Sequence, residues 1–378
     1  MAILLTGATG FLGSRLCAAL LRRTDREVVC VVRATGAGHA EQRVRGLLRT
    51  QDPEVAASRA LRCVPGDITG DGLGMGRAEH EELCRTVEQV YHCGASVNMA
   101  APYEHLAPVN VGGTARVVEF CLRGRGKRLH HVSTLGVFLT ARESGRPEVT
   151  EAIRPSPETS GRIGYPRSKY EAEALLTEAA AQGLRVTVYR PGVILADSRS
   201  GACPADDFVA RVYAAAVLTG CHPRCLSRLP VVPVDHAAET IAELSLRPAP
   251  RSGAYHVMLP EALPAAELFD WARSFGYPLV EVPPATWHAA LKAHGRSRAA
   301  LAMRTLAIAE YGLGLSEDRR MPDYRCAAVT DAVTGAVTGA VRQLGGQAGL
   351  LDQSGLFGPD YFTPMFRALV DRQVLPPP

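Results

Sequence analysis

Tyr165 and Lys169 stand four residues apart in the run Tyr165-Pro166-Arg167-Ser168-Lys169. At i and i+4 on the start of a helix, both side chains leave the same face. An ammonium beside a phenol favours the phenolate and is expected to lower its pKa, letting the tyrosine exchange a proton near neutrality. The spacing alone is common, but the residue type sharpens it. Only three of the 42 basic residues are lysine (127, 169 and 292). A chain that uses arginine almost everywhere keeps a lysine here, where a compact ammonium and a wide, permanently charged guanidinium act differently. Upstream, His131-Val132-Ser133-Thr134 closes a strand-like run. A hydroxyl there either donates to a carbonyl oxygen beside the tyrosine or caps a turn.

A second constellation opens the chain. Thr6-Gly7-Ala8-Thr9-Gly10-Phe11-Leu12-Gly13 follows an apolar run and begins an amphipathic segment. Its glycines serve a tight turn, a close backbone approach to a pyrophosphate and close helix–strand packing. The N–H groups and dipole at the helix start then favour phosphate. A carboxylate about 20 residues further on usually accepts from the ribose 2′-hydroxyl of NAD. Here the second strand ends in Val31-Val32-Arg33, with Arg43 ten residues on as a second clamp or a solvated helix residue. A guanidinium pairs with a 2′-phosphate where a carboxylate repels it, so the expected cofactor is NADPH.

The elements that must position these residues are legible as alternating β and α segments, the pattern of a doubly wound parallel sheet of the Rossmann type. Strands are predicted at 2–6, 27–32, 60–64, 87–93, 129–133, 185–190, 231–234 and 254–258. Helices are predicted at 10–23, 111–122, 168–181 and 236–245. The strand runs are nearly all apolar, as burial on both faces requires. Residues 197–229 read as irregular, and the chain from Pro264 onward as helical. The expected division is a cofactor-binding domain of 1–197 and 231–260, and a smaller, mainly helical substrate-binding or lid subdomain of 198–230 and 261–378. Val329, Val333, Val337 and Val341, beside Gly335 and Gly339, predict a close-packed helix or a dimer contact; both monomer and homodimer remain open.

Composition excludes several classes. With 378 residues, 47% hydrophobic and 21% charged, the chain has the profile of a globular protein. A net charge of +4 is too mild for a nucleic-acid binder. No run reaches the about 20 apolar residues of a membrane span, since the stretch 327–341 is short and holds Asp331. The N-terminus lacks the basic flank of a signal peptide. Ten scattered cysteines without a C-x-x-C pair read as free thiols in a reducing, cytoplasmic setting. Cys221-His222-Pro223-Arg224-Cys225 has no second ligand pair at finger spacing, so no metal is expected.

Taken together, the T-G-x-x-G-x-x-G start, Gly66-Asp67-Ile68, Tyr91-His92-Cys93-Gly94-Ala95, Asn110-Val111-x-Gly113-Thr114, Ser133-Thr134 and Y-x-x-x-K resemble an extended short-chain dehydrogenase/reductase. More narrowly, the chain resembles the thioester reductase domains that end nonribosomal peptide synthetases, carboxylic acid reductases and α-aminoadipate reductase. That likeness rests on Val32-Arg33-Ala34 with Arg43, Ser96-Val97-Asn98, Tyr189-Arg190-Pro191-Gly192, Gly201 with Asp207, Val232-Pro233-Val234-Asp235, and Phe275-Gly276-Tyr277 before Trp287. It covers roughly residues 2–290, and departs from the family at Ala202-Cys203-Pro204, where asparagine is frequent.

The resemblance implies Thr134, Tyr165 and Lys169 as a catalytic triad, with Thr134 preferred over Ser133 because it lies four residues before the aromatic matched by Phe138. It implies a cofactor site of Gly7, Thr9, Gly10, Phe11, Leu12, Arg33, Arg43, Cys93, Gly94, Ala95, Ser133, Tyr165 and Lys169. Asp67 and Ile68 would flank the adenine, and Pro191 and Val193 would hold the carboxamide. The implied reaction is NADPH-dependent reductive release of an acyl or peptidyl thioester from a phosphopantetheine-bearing carrier protein, giving an aldehyde or, after a second hydride, an alcohol. No adenylation or carrier segment precedes the first strand, so a discrete reductase acting in trans is expected. Arg224, Arg228, Lys292, Arg296 and Arg298 are candidate contacts for an acidic carrier, whereas Arg123–Arg128 reads as a solvated turn. An extended reductase or epimerase acting on free acyl-CoA, a nucleotide sugar or a sterol shares the triad. A non-catalytic dinucleotide sensor would need neither Tyr165 nor Lys169.

Overall fold

The computed structural model describes residues 2–247, 252–295, 307–316, 319–327 and 356–378. These form two compact units. The first comprises the described residues of 1–135, 164–191 and 235–257, the second those of 136–163, 192–234 and 258–378.

In the first unit β1 (Ala2–Thr6), α1 (Phe11–Arg23), β2 (Glu27–Val32), α2 (Ala37–Gln51), β3 (Leu61–Pro65), α3 (Arg77–Thr86) and β4 (Val87–His92) are followed by α4 (Gly113–Leu122) and β5 (Arg128–Val132). After an excursion into the second unit come α5 (Gly164–Ala181), β6 (Arg185–Pro191), α6 (Val234–Ser245) and β7 (Gly253–Val257). The seven strands make one parallel sheet in the order β7-β6-β5-β4-β1-β2-β3. Every residue of β1 is buried, as are five of the six in β2. That burial is what the unbroken apolar runs demand of strands covered on both faces. The chain leaves β1 toward β2 and β3, then returns to place β4 on β1's other side. The carboxyl ends of β1 and β4 therefore border the switch point where such sheets bind ligands.

All seven strands of this sheet lie within a residue of the sequence expectation. Helix α5 begins four residues before the expected Ser168, which brings Tyr165 into its first turn. Lys127, expected within a solvated turn, is instead buried beside exposed Arg123 and Arg125. It is accommodated there because its ammonium meets backbone carbonyls.

The second unit joins helices to short strand pairs. Val193–Leu195 runs parallel to Val231–Pro233, and Cys221–Pro223 parallel to Val280–Val282. The segment 197–229 is not irregular: Phe208–Thr219 is a helix. Asp207 caps its start, accepting from Ala210 N at 2.7 Å, and Gly220 ends it in the left-handed region at φ 65°. Its surface is apolar nearly all round, so the 3.6-residue period that reveals an amphipathic helix is faint. The region after Pro264 also departs from expectation. Beside the helices Glu267–Phe275, Pro284–Ala293, Ala307–Leu313 and Pro359–Asp371, it supplies the strand Val280–Val282. Trp271, Phe275, Phe362 and Phe366 stack where Glu267–Phe275 meets Pro359–Asp371. The valine stripe from Val329 to Val341, with Gly335 and Gly339, lies outside the described residues, as do Arg296 and Arg298.

Candidate active site

The turn between β1 and α1 is closed too tightly for side chains. Gly7 has φ 77°, and a Cβ there would lie 2.6 Å from Gly94 N and 2.7 Å from Cys93 C. A Cβ on Gly13 would overlap the Gly7 carbonyl. Gly10 N-caps α1 without any side-chain cap, so the first-turn N–H groups of Phe11 and Leu12 face outward with the positive end of the helix dipole. Thr9 is half-buried on the same turn. The cradle fits a pyrophosphate, whose oxygens would take the place of the missing cap.

A directional hydrogen-bond chain fixes this turn to the end of β4. Gly94 N donates to Thr6 Oγ1 (3.2 Å), which faces His92 Nδ1 (2.8 Å). His92 Nε2 faces Thr114 Oγ1 (3.2 Å), and Thr114 Oγ1 donates to Asn110 O (2.6 Å). Burial pushes His92 down to about 3, so the ring is neutral. With both hydroxyl directions set by their neighbours, the ring accepts at Nδ1 and donates from Nε2. Cys93, Gly94 and Ala95 are half-buried, and burial pushes the Cys93 thiol up to about 12.

Past β2, Arg33 and Arg43 are both exposed, and an Arg43 Nη1 N–H donates to the Arg33 carbonyl. Neither guanidinium is ion-paired among the described residues. Past β3, Asp67 Oδ1 accepts from Thr69 N and Thr69 Oγ1, each at 2.8 Å. Ile68 packs on Gly94 and Gly113: its Cδ1 would sit 3.2 and 3.0 Å from a Cβ at those positions.

The carboxyl end of β5 carries the remaining groups of the first unit. Ser133 Oγ donates to Glu173 Oε1 at 2.5 Å, and Glu173 pairs with Arg190 (Nη2 to Oε2, 2.8 Å), all three buried. Thr134, next in sequence, is half-buried. The structure thus separates the two hydroxyls that stand together in sequence: Ser133 turns into a buried ion pair. Lys169 Nζ, also buried, donates to Val132 O at 2.8 Å and meets His131 Nε2 at 3.2 Å. Burial holds His131 far below its ordinary range, so it accepts at Nε2. Burial also brings Lys169 down to about 8, against the opposing pull of Glu173.

Tyr165 is 8% exposed, and its hydroxyl has no partner among the described residues. Burial is the one cause acting on it, and pushes it up to about 12. The expected depression by Lys169 is absent here, because the ammonium is directed at Val132 O and His131. Pro191 ends β6, buried, and Val193 N donates to Pro230 O at 2.7 Å in the second unit. His92, Asn110 and Glu173 escaped prediction as site residues. The first two stood in motifs named above, but their side-chain partners are 14 to 86 residues distant, and no local spacing marks such contacts.

A sequence profile described as male sterility protein, an NAD-binding domain, matches residues 5–241. The isonitrile lipopeptide synthase of Streptomyces coeruleorubidus is 36% identical over 86% of the chain, and a component of the linear gramicidin synthase of Brevibacillus parabrevis is 33% identical over 79%. The matched parts are only 22% and 6% of those much longer proteins. Among solved structures, the terminal R domain from the myxalamid biosynthetic pathway superposes with a TM-score of 0.86 at 32% identity, over 100% of this chain and 92% of that one. The chain belongs to the reductase-domain family of nonribosomal peptide synthetases, within the extended short-chain dehydrogenases/reductases. The reductase domain from the Mycobacterium tuberculosis synthetase follows the same course, with a TM-score of 0.76 at 28% identity over 99% of this chain and 92% of that one. This reductase domain is accordingly an oxidoreductase of nicotinamide-cofactor type. Among its described residues no helix is long and apolar enough to cross a membrane.

Proposed function

We propose that this reductase domain takes an acyl or peptidyl thioester from the phosphopantetheine arm of a carrier protein and reduces it with NADPH to an aldehyde, an alcohol following if a second hydride is delivered. The observation carrying the proposal is the edge of β5 and α5. There a half-buried hydroxyl (Thr134), an unpartnered phenol (Tyr165) and a buried ammonium (Lys169) share the sheet end with the phosphate cradle. When bound, the nicotinamide supplies the hydride.

The side chains supply the rest. Tyr165 stays protonated at neutral pH, as burial requires, and so is a donor toward the oxyanion that develops on the thioester carbonyl. Thr134 is placed in the proposal as a second donor. Lys169 has two of its three N–H groups directed at Val132 O and His131, leaving one for a ribose hydroxyl. Collapse of the resulting hemithioacetal expels the pantetheine thiol. Arg33 and Arg43, exposed and without carboxylates among the described residues, favour NADPH over NADH. Asp67, Ile68, Pro191 and Val193 complete the proposed cofactor site, and the second unit is the proposed substrate-binding part.

The test is loss of NADPH absorbance with acyl thioesters offered on a carrier protein and on CoA, with NADH as control. Faster consumption on the carrier with aldehyde recovered is the expected result. Turnover of carrier-free substrates alone would move the assignment to small-molecule reduction.

A further inference from the structure

Val97 is 64% exposed, more than any other large hydrophobic side chain among the described residues. Most surface apolar residues need no explanation, but this one is held in place on both sides. Ser96 N donates to Asn110 Oδ1 (2.7 Å), and Asn110 Nδ2 donates to Ser96 O (2.9 Å). Beyond it, Asn98 Oδ1 accepts from Ala100 N (3.1 Å) and Asn98 O accepts from Ala101 N (3.1 Å). A loop so tied has little freedom to turn an isopropyl group inward.

The same loop is joined to the first turn of α5 on both sides of Tyr165. Asn110 Nδ2 also donates to Ser168 Oγ (2.9 Å), which donates to Tyr165 O (2.8 Å). Gly164 lies so close to the loop that a Cβ there would sit 2.6 Å from Ala101 O and 2.8 Å from Tyr103 N. The Arg167 guanidinium covers the Tyr103 ring at 4.1 Å, and Tyr103 Oη donates to Glu171. The loop leaves the carboxyl end of β4, at the switch point of the sheet.

We infer that Val97 is a specificity-determining residue, an apolar wall against which the acyl chain next to the reacting carbonyl lies. The inference rests on the thioester reading above. A fixed apolar group on a loop tied to the helix turn that carries the proton donor, on the sheet edge that receives ligand, gains by covering with hydrocarbon and nothing by covering with a polar headgroup.

The test compares wild type with Val97→Asn and Val97→Ile, using pantetheine thioesters from acetyl to dodecanoyl, and measures Kd for the matching non-reducible acyl-pantetheine amides and for NADPH. Val97→Asn is expected to lower kcat/KM and weaken amide binding about tenfold for long chains and less than twofold for acetyl, with the loss in KM and NADPH affinity unchanged. Val97→Ile restores long-chain binding. An equal loss at every chain length, or none, overturns the inference while leaving thioester reduction standing. Chain-length-dependent binding without turnover of any thioester retains Val97 and overturns the reaction. No chain-length effect and no turnover overturn both.

Discussion

Two buried lysines stand at opposite ends of β5, and their surroundings differ in one respect. At the amino end, Lys127 Nζ donates to the carbonyls of Cys84 (2.9 Å), Arg125 (3.0 Å) and Arg123, so all three of its N–H groups are matched. Its charge lies over the Phe120 ring at 5.0 Å. At the carboxyl end, among the described residues Lys169 hydrogen-bonds only to Val132 O and His131. The same residue type is a closed structural clamp in one place and an open valence in the other. The sheet's polarity decides which is which, because ligands approach the carboxyl ends of parallel strands. A saturated ammonium can only hold the fold together, whereas one with a donor in reserve can hold a ligand.

Substitutions at the carboxyl end should abolish chemistry and spare the fold. Tyr165→Phe removes the proposed donor and is expected to lower kcat by about 10³-fold while NADPH affinity stays within a factor of two. Full turnover in that variant would remove Tyr165 from the reaction. Lys169→Met should lower kcat by about 10²-fold with little change in thermal midpoint. A variant that unfolded instead would erase the contrast with Lys127.

The neighbouring hydroxyls sharpen the comparison. Thr134→Ala is expected to cost about 10²-fold in kcat. Ser133→Ala removes the hydrogen bond to Glu173 and should appear as about 1–2 kcal/mol of lost stability with kcat retained. The reverse outcome would exchange their roles. Arg33→Asp should weaken NADPH about tenfold and leave NADH nearly unaffected, as paired titrations of the two cofactors would show.

The pH dependence separates rate from stability. With Lys169 brought down to about 8, its ammonium is lost as pH rises through that value, so kcat/KM should fall on the alkaline side. The unfolded chain keeps that proton up to the ordinary lysine range, near 10.4, and so binds more protons between the two values. This group's contribution to stability therefore increases with pH across that window, and a thermal midpoint falling in step with the rate would contradict the assignment. The smallest expected effect is at the amino end. Lys127→Met leaves three carbonyls short of a donor and should lower the thermal midpoint by about 2–5 °C without changing kcat.

Much of this was readable along the chain because it depends on neighbours in sequence. The seven strands of the sheet, the glycine turn and the Y-x-x-x-K pair each follow from local periodicity or from an i,i+4 relation. The apolar helix Phe208–Thr219 escaped, since a helix covered on all sides loses its amphipathic stripe. So did the burial of Lys127, which depends on the Cys84 carbonyl 43 residues away.

The sequence by itself determined the elements, the cradle glycines and the presence of hydroxyl, phenol and ammonium near one strand end, because short-range sterics and spacing dictate them. Only the tertiary structure decided that Ser133 turns to Glu173 and Arg190, that His92 is neutral and locked between Thr6 and Thr114, and that Tyr165 is raised by burial where an ammonium was expected to lower it. Hydrogen-bond partners and desolvation are set by what the fold brings close, and distance along the chain carries no record of either.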